Sequence, residues 1–543
     1  MPVYQVNKFS GGISDFEDRG IPGAFKFGYN LDIRKKIDSL SCGQALKDEG
    51  LTDYSLSPSA SQSPSASVSP SLSPSTTPSP SASVSPSSSV SGSQSASTGI
   101  SPSTSLSPSL SVSPSASVSV SSSISPSPSP SSATAYIFKD LIIKFVKAKD
   151  GYTYGFGNAG HIYRRNSDGR WDWVYKDANG AIKGAEEKPD SNGNIYLYWA
   201  TNNHLKKKEI PGNAIWNDVE TVAGNLLSAD WHTMVLVGGG LHIANGDTLA
   251  FVGYDGSYTP EALDLIPGKI AKALLERKGR TIIGTGPLAN ADKGIHAMID
   301  SEVPLAQIGD DGELVFANMV DSMPAKRFPG GGKVNPGGVA NLMEEVDIFE
   351  WEEGADSWID KQRGGNLALF GVFGATSGYN GIYSYGRKNK NAPFVLNLDY
   401  YLDVDEIGAV AVVDGTVICS FQDGSDYGVK AVDSGTKAEA VYEGLDFRAP
   451  VKKTGEITVW NTAEVYMKPL PNGSWISFWY KINKNGPFLQ ATSADGLTNF
   501  TTDAAKKAVF SIAAEGEVFE PRLILHPVGN NGPEVFRIRT YFT

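Results

Sequence analysis

A short passage recurs through the chain from Ala133 to about Phe447, and its recurrence restricts the possible folds more than any other feature. The clearest copy reads Gly151-Tyr-Thr-Tyr-Gly-Phe-Gly157, then His161-Ile-Tyr-Arg-Arg165, then Asp168-Gly169, then Trp171-Asp-Trp-Val-Tyr175. Aromatic and β-branched residues suit a pleated, half-buried surface, and Gly-Asn and Asp-Gly pairs supply the positive φ angles of tight hairpins. The passage therefore predicts three strands and two turns. The next passage repeats the plan: Asp190-Ser-Asn-Gly-Asn194 is a turn, Ile195 to Trp199 a strand, His204 to Ile210 its alternating partner, and Trp216 closes the unit. A period of about 40 residues holding up to four strands is that of a β-propeller blade, and about 300 residues of it predict about seven blades. A pair of β-sandwiches would also show short strands and glycine-rich turns, and is the competing architecture.

Further blades are expected at Asp230 to Gly268, at Lys269 to Phe316, at an acidic stretch from Met343 to Lys361, at Leu367 to Leu398 and at Ile407 to Phe421. Beyond Ala449 the strands lengthen. Ser474-Trp-Ile-Ser-Phe-Trp-Tyr-Lys-Ile482 and Glu534-Val-Phe-Arg-Ile-Arg-Thr-Tyr-Phe542 alternate apolar with polar side chains, the pattern of sheets buried on one face. The fold class is thus all-β, with a propeller over residues 134–447 and a small antiparallel β-sandwich over 448–543.

Residues 55–133 contain no charged side chain, and Ser alternates there with Pro, Ala, Val and Leu; prolines fall six apart at Pro58, Pro64 and Pro70. Such a tract buries too little to offset its ordering entropy, so it is expected to be a disordered linker or loop. The same alternation would put every Ser on one face of an extended chain that several copies could stack into a fibre, but prolines lack the N–H that a regular ladder needs. Residues 1–54 are too poor in apolar side chains for a core of their own and are expected to lie extended on the propeller. Arg34-Lys35-Lys36 would form a solvated edge of that segment.

The chain has 543 residues, a net charge of −12 and two cysteines, Cys42 and Cys419. An acidic chain without basic clusters argues against nucleic-acid binding. Two distant cysteines form no disulfide framework and no zinc site. The opening residues show no charged-then-apolar signal pattern, and the best apolar run, Ile407 to Phe421, is broken by Asp414, so membrane insertion is not expected.

Catalytic and metal-binding patterns are weak. The six histidines lack metal-ligand spacing, although His232 and His242 could meet across a hairpin. Asp190-x-Asn192-x-Asn194 opens like a calcium loop but lacks its later glycine and glutamate and reads as a turn. Asp168-Gly-Arg-Trp171 and Ser493-Ala-Asp-Gly-Leu-Thr-Asn-Phe500 are shortened aspartate-box turns of the kind propeller glycosidases carry. Glu344, Glu345, Asp347, Glu350, Glu352 and Glu353 are the candidate carboxylates for such an enzyme. Trp475, Trp479 and Tyr480 are candidate glycan contacts, because aromatic faces suit the apolar faces of sugars, although on an alternating strand some of them must face the core. Cofactors are not expected.

Several phrases in order carry a resemblance: Phe9-Ser-Gly-Gly12, Asn30-Leu-Asp-Ile-Arg-Lys35, Gly381-Ile-Tyr-Ser-Tyr-Gly-Arg387, Ile407-Gly-Ala-Val-Ala-Val-Val-Asp-Gly415 and Asp426-Tyr-Gly-Val429, followed by the sandwich. With the Ser/Pro tract, this order resembles virion proteins of tailed bacteriophages, the propeller-plus-sandwich proteins of the neck and tail region. The resemblance implies a non-enzymatic structural protein of the virion, made in the bacterial cytoplasm. Its propeller would serve as a rigid docking disc for other neck or tail subunits, and a homo-oligomeric ring is one arrangement. Phe9, Arg34, Lys35 and Lys36 are the candidate assembly contacts. A tail-side protein binding host receptors or surface glycans is the alternative, and a propeller glycosidase the second.

Overall fold

The computed structural model describes residues 3–9, 13, 24–33, 39–51, 138–211, 216–227, 231–265, 269–277, 280–287, 306–308, 314–316, 333–342, 350–352, 357–359, 367–375, 378–386, 395–448, 458–484 and 486–543. Every regular element among them is a β-strand. The Ser/Pro tract and Arg34, Lys35 and Lys36 lie outside the described residues.

Four strands precede the tract: β1 (Val3–Val6), β2 (Phe27–Tyr29), β3 (Leu40–Ser41) and β4 (Gln44–Glu49). After it, blade 1 is an antiparallel meander of β5 (Ile142–Lys147), β6 (Thr153–Gly157), β7 (His161–Arg165) and β8 (Trp171–Lys176). Blade 2 follows with β9 (Gly184–Pro189), β10 (Ile195–Ala200), β11 (Leu205–Ile210) and β12 (Glu220–Ala223). Blade 3 has β13 (Met234–Val237), β14 (Gly240–Asn245), β15 (Thr248–Val252) and β16 (Tyr258–Asp264). The expected turn chemistry is present between β7 and β8, where Gly169 has φ +82° and the Asp168 carboxylate accepts the Arg170 amide at 3.0 Å.

Blade 4 is represented by the hairpin of β17 (Lys269–Arg277) and β18 (Arg280–Pro287); β19 (Ala306–Ile308) and β20 (Leu314–Phe316) form a separate two-stranded sheet. The next sheet corrects the sequence reading. Strand β21 (Lys333–Leu342) skips the hairpin of β22 (Glu350–Glu352) and β23 (Ser357–Ile359) and pairs with β24 (Leu367–Phe373), Leu342 opposite Leu367. The acidic stretch expected to be a blade of its own therefore interrupts a single blade, completed by β25 (Gly381–Gly386) and β26 (Val395–Tyr401). Within β21, Asn335-Pro-Gly-Gly338 forms a bulge, where the register shifts between Val334 and Val339. The last blade has β27 (Glu406–Val413), β28 (Thr416–Asp423) and β29 (Asp426–Lys437), and its fourth strand is β4, from before the tract.

The first strands of the blades converge, and they come so close that side chains would collide. A Cβ on Gly184 would overlap the carbonyl oxygen of His232, one on Gly337 that of Ile143, and one on Gly408 that of Ile142. Strand β4 closes the ring. It runs antiparallel to β29, Glu49 opposite Val429, and Glu49 then reaches blade 1, where it accepts from Arg165 Nε at 2.8 Å and from the Trp171 indole N–H at 2.9 Å. Trp171 is fully buried and packs with Ala409, Val413, Ile418 and Val429 of the last blade.

The remaining strands are β30 (Ala440–Glu443), β31 (Phe447–Arg448), β32 (Val459–Met467), β33 (Trp475–Ile482), β34 (Leu489–Gln490), β35 (Thr492–Ser493), β36 (Lys507–Glu515), β37 (Val518–His526) and β38 (Glu534–Phe542). They form a sandwich: one sheet is ordered β1-β38-β32-β36-β35 with β3 also on β38, the other β2-β30-β37-β33-β34 with β31 also on β37. Between them lie Trp460, stacked on Phe519 at 4.6 Å, with Phe510, Leu523, Leu525 and Ile538. The sandwich begins at β30, a few residues before the expected position 448.

The first segment does not simply lie on the propeller. Phe9 and Phe25 are fully buried in the sandwich core against Tyr442, at ring separations of 5.5 and 5.7 Å. Strand β2 runs antiparallel to β30 and makes a parallel pairing with β26, so a single ten-stranded sheet passes from the fifth blade into the sandwich. Asn30, at φ +54°, locks this seam. Its amide donates to the Glu439 carbonyl at 2.9 Å and its side-chain oxygen accepts the Tyr401 amide at 2.8 Å.

Candidate functional site

Strand β33 alternates as its sequence dictates. Ile476, Phe478 and Tyr480 point into the sandwich core, and Trp475, Ser477, Trp479 and Lys481 point outward. This corrects one candidate glycan contact: Tyr480 is buried, and its hydroxyl donates to the Ile512 carbonyl at 3.2 Å. Two neighbours in sequence cannot share a face of a strand, so of Trp479 and Tyr480 only the indole reaches the surface.

The outward face is built by cross-strand pairs between β33 and β37. Trp475 stands opposite His526, and the rings stack at 4.5 Å with 10° between their planes. The other side of His526 meets Glu439, whose carboxylate lies 3.0 Å from Nδ1. Trp479 stands opposite Arg522, and its indole N–H donates to Ser477 Oγ at 2.9 Å. The Arg522 guanidinium lies 3.6 Å from the centre of the Phe488 ring and pairs with Glu443, and Lys481 approaches the same ring at 4.4 Å. Burial pushes the Glu443 carboxyl up, with Arg522 pulling it back. The face thus combines two partly exposed indoles with guanidinium, ammonium and imidazole groups, the mixture that contacts both the C–H faces and the hydroxyls of a sugar.

Of these, Arg522, His526 and Phe488 escape the sequence reading. A signal for the first two existed, because Arg522, Ile524 and His526 alternate with Leu523 and Leu525 and so share the face opposite the core.

The other candidates fall elsewhere. Phe9, expected to be an assembly contact, is core. His232 is fully buried with its ring nitrogens 2.8 Å from the Ala244 carbonyl and 3.3 Å from that of Asn202, while His242 lies edge-on to Phe251, so the two make no ligand pair. Among the described residues no group of three or more His, Cys, Asp or Glu is placed to hold a metal. Asp190 accepts the Asn192 and Asn194 amides at 2.8 Å, a closed turn. Of the acidic stretch, Glu344, Glu345, Asp347 and Glu353 lie outside the described residues. Burial pushes the Cys42 and Cys419 thiols up to about 12, so neither supplies a thiolate near neutral pH. Among the described residues no helix is long and apolar enough to cross a membrane.

Blades of antiparallel meanders with converging first strands define a β-propeller, here continuous with a β-sandwich. Known folds with likeness to the chain include the PQQ-bound aldose sugar dehydrogenase of Streptomyces coelicolor, at 12% identity over 55% of this chain and 95% of that one, TM-score 0.30. The WD40 β-propeller domain of Doa1 matches at 12% identity over 56% and 96%, TM-score 0.30. An exo-β-1,3-galactanase from Phanerochaete chrysosporium matches at 6% identity over 75% and 97%, TM-score 0.24. These likenesses concern architecture and carry nothing about substrate or chemistry. No family model matches the chain, and no curated protein does.

Proposed function

We propose that the chain is a non-enzymatic structural component of a tailed-phage virion, its propeller acting as a rigid docking disc in the neck or tail. The observation that carries this reading is where the resembling phrases fall. Asn30-Leu31 makes the seam between propeller and sandwich, Gly381 to Gly386 is β25 of the blade joined to the sandwich, Ile407 to Val413 is the first strand of the last blade, and Asp426 to Val429 opens the strand on which β4 closes the ring. The phrases that carry the resemblance thus fall where strands of propeller and sandwich join and where the ring closes, and a part that links neighbours needs such joints more than a cleft. The test is antibody labelling of purified tailed particles, expected at the neck or tail. Particles of normal protein content that lack the chain by mass spectrometry would reject the reading.

A second reading, a tail-side glycan-binding protein, is favoured by the outward face of β33 and β37. Replacing Trp479 with Ala removes an outward ring without opening the core, so the protein should fold as before and bind host surface glycans at least about tenfold more weakly, the worth of one good aromatic contact. Equal binding by both proteins on a glycan array would remove this face from consideration.

A further inference from the structure

The outward face of the sandwich sheet built on β38 carries more positive charge than its surroundings offset. Arg537 and Arg539 stand two apart on β38 and so share that face, Arg537 opposite Tyr466 and Arg539 opposite Glu464 of β32. Lys507 of β36 stands opposite Tyr466 from the other side. All three cations gather round one ring: the Arg537 and Arg539 guanidiniums lie 5.6 and 5.4 Å from the centre of Tyr466, and the Lys507 ammonium 5.9 Å.

One carboxylate faces them, and it is already occupied. Glu464 accepts from the Tyr466 hydroxyl at 2.6 Å, the Tyr541 hydroxyl at 2.9 Å and the Lys507 ammonium at 3.0 Å. Glu534, at one end of the face, is held by Lys468 at 2.8 Å, and Glu515 lies at the far end of β36. Among the described residues no carboxylate lies within ion-pair distance of either guanidinium. Arg539 Nε donates to Gln5 Oε1 at 2.8 Å, and Arg537 Nε is buried with no hydrogen-bond partner. Two like charges left uncompensated on one face, in a chain with 59 acidic and 47 basic residues, call for an acidic partner.

The chain itself offers one with the same spacing. Glu350 and Glu352 stand two apart on β22, hence on one face of the β22–β23 hairpin, in a stretch from Glu344 to Asp356 without a basic residue. Residues two apart on a strand are about 6.6–6.8 Å apart in either element, so a pair of carboxylates meets a pair of guanidiniums in register.

We propose that the guanidinium face of the sandwich binds the acidic β22–β23 hairpin of a second copy of the chain. Arg537 and Arg539 take Glu350 and Glu352, while Tyr466 and the exposed Phe536 and Val3 supply apolar contact area. Exposed ion pairs contribute little each, so the charges select which faces meet. Because the two surfaces differ, the contact repeats head to tail and makes rings or filaments. This goes beyond the docking role proposed above, and self-association is read on the chain alone, so its failure leaves that role standing.

Sedimentation velocity of the full chain over a range of concentrations tests the contact. Self-association is expected at low ionic strength and should fall in high salt. Arg537→Glu with Arg539→Glu, and separately Glu350→Arg with Glu352→Arg, should each weaken it at least about tenfold with the melting profile of the parent. The hairpin pair lies outside the sandwich, so its loss of association does not come from unfolding the guanidinium face. Mixing the two reversed proteins should restore association, since each then finds its opposite on the other. A parent that is monomeric at every concentration, association indifferent to salt and to both reversals, or a mixture that stays monomeric would each overturn the proposal. So would a monomeric parent that binds heparin through Arg537 and Arg539, because the face would then serve a polyanion.

Discussion

His232 shows how one side chain makes the whole fold sensitive to acid. It is buried among carbonyl oxygens beside the Lys183 ammonium, and burial, with a smaller contribution from that ammonium, holds its imidazole below the ordinary value. The unfolded chain, with an ordinary imidazole, binds a proton near pH 6.5 that the folded chain resists, so stability is full above that pH and is lost as pH falls below it. The slope approaches about 1.4 kcal/mol per pH unit for one group. Urea midpoints of the intact protein should fall between pH 7.5 and 5.5, and His232→Gln, though less stable at the upper pH, should lose less over that interval. Parallel losses in the two proteins would show that another group titrates. At this scale the sequence left open a meeting of His232 with His242 across a hairpin, because the carbonyls that face His232, those of Asn202 and Ala244, belong to blades 2 and 3 and meet only after folding.

Strands whose identity is local were legible, and strands made by their neighbours were not. Asp168-Gly169 and Asp414-Gly415 announce hairpins because their backbone angles demand such residues, and β7, β8, β27 and β28 flank them as expected. Strand β4 is different. Gln44-Ala-Leu-Lys-Asp-Glu49 has no β-branched or aromatic side chain, and it is a strand because β29 offers an unpaired edge that must be covered. The tertiary edge overrides local propensity there, as it overrides the turn signal of Asn335-Pro-Gly-Gly338 inside β21. The first segment nevertheless makes a large contribution to stability. Phe9 and Phe25, fully buried, together contribute about 3–6 kcal/mol before the ladder of β4 is considered. Removing residues 1–51 should therefore lower the melting temperatures of both the propeller and the sandwich, and a truncated protein that melts like the parent would refute this account of the segment.

For the whole molecule, Leu51 and Phe138, on either side of the tract, both meet Trp171. Leu51 makes a parallel bridge with Trp171, and Phe138 packs its ring 6.1 Å from that indole. A connection of residues 52–137 is far longer than the span between them requires. Shortening it eightfold removes about 2 kcal/mol of loop-closure cost, since each doubling of length costs about 0.6 kcal/mol. Replacing Ser57 to Ser132 by a short Gly/Ser linker should leave the melting temperature equal or slightly raised in calorimetry. A lowered value would mean that the tract contributes packing of its own.

Closure by β4 also sets an order of events in time. Asp48 pairs with Lys430 across 382 positions of the chain, so β4 is made long before its partner β29. At synthesis rates of about 5–20 residues per second, β4 waits about 20–80 s before an edge exists for it to join. For that interval the blades already made form an open arc, and the ring becomes a disc only when β4 meets β29. A mature propeller is therefore a certificate that translation reached β29, and truncated chains are left with an uncovered edge that quality control can recognise.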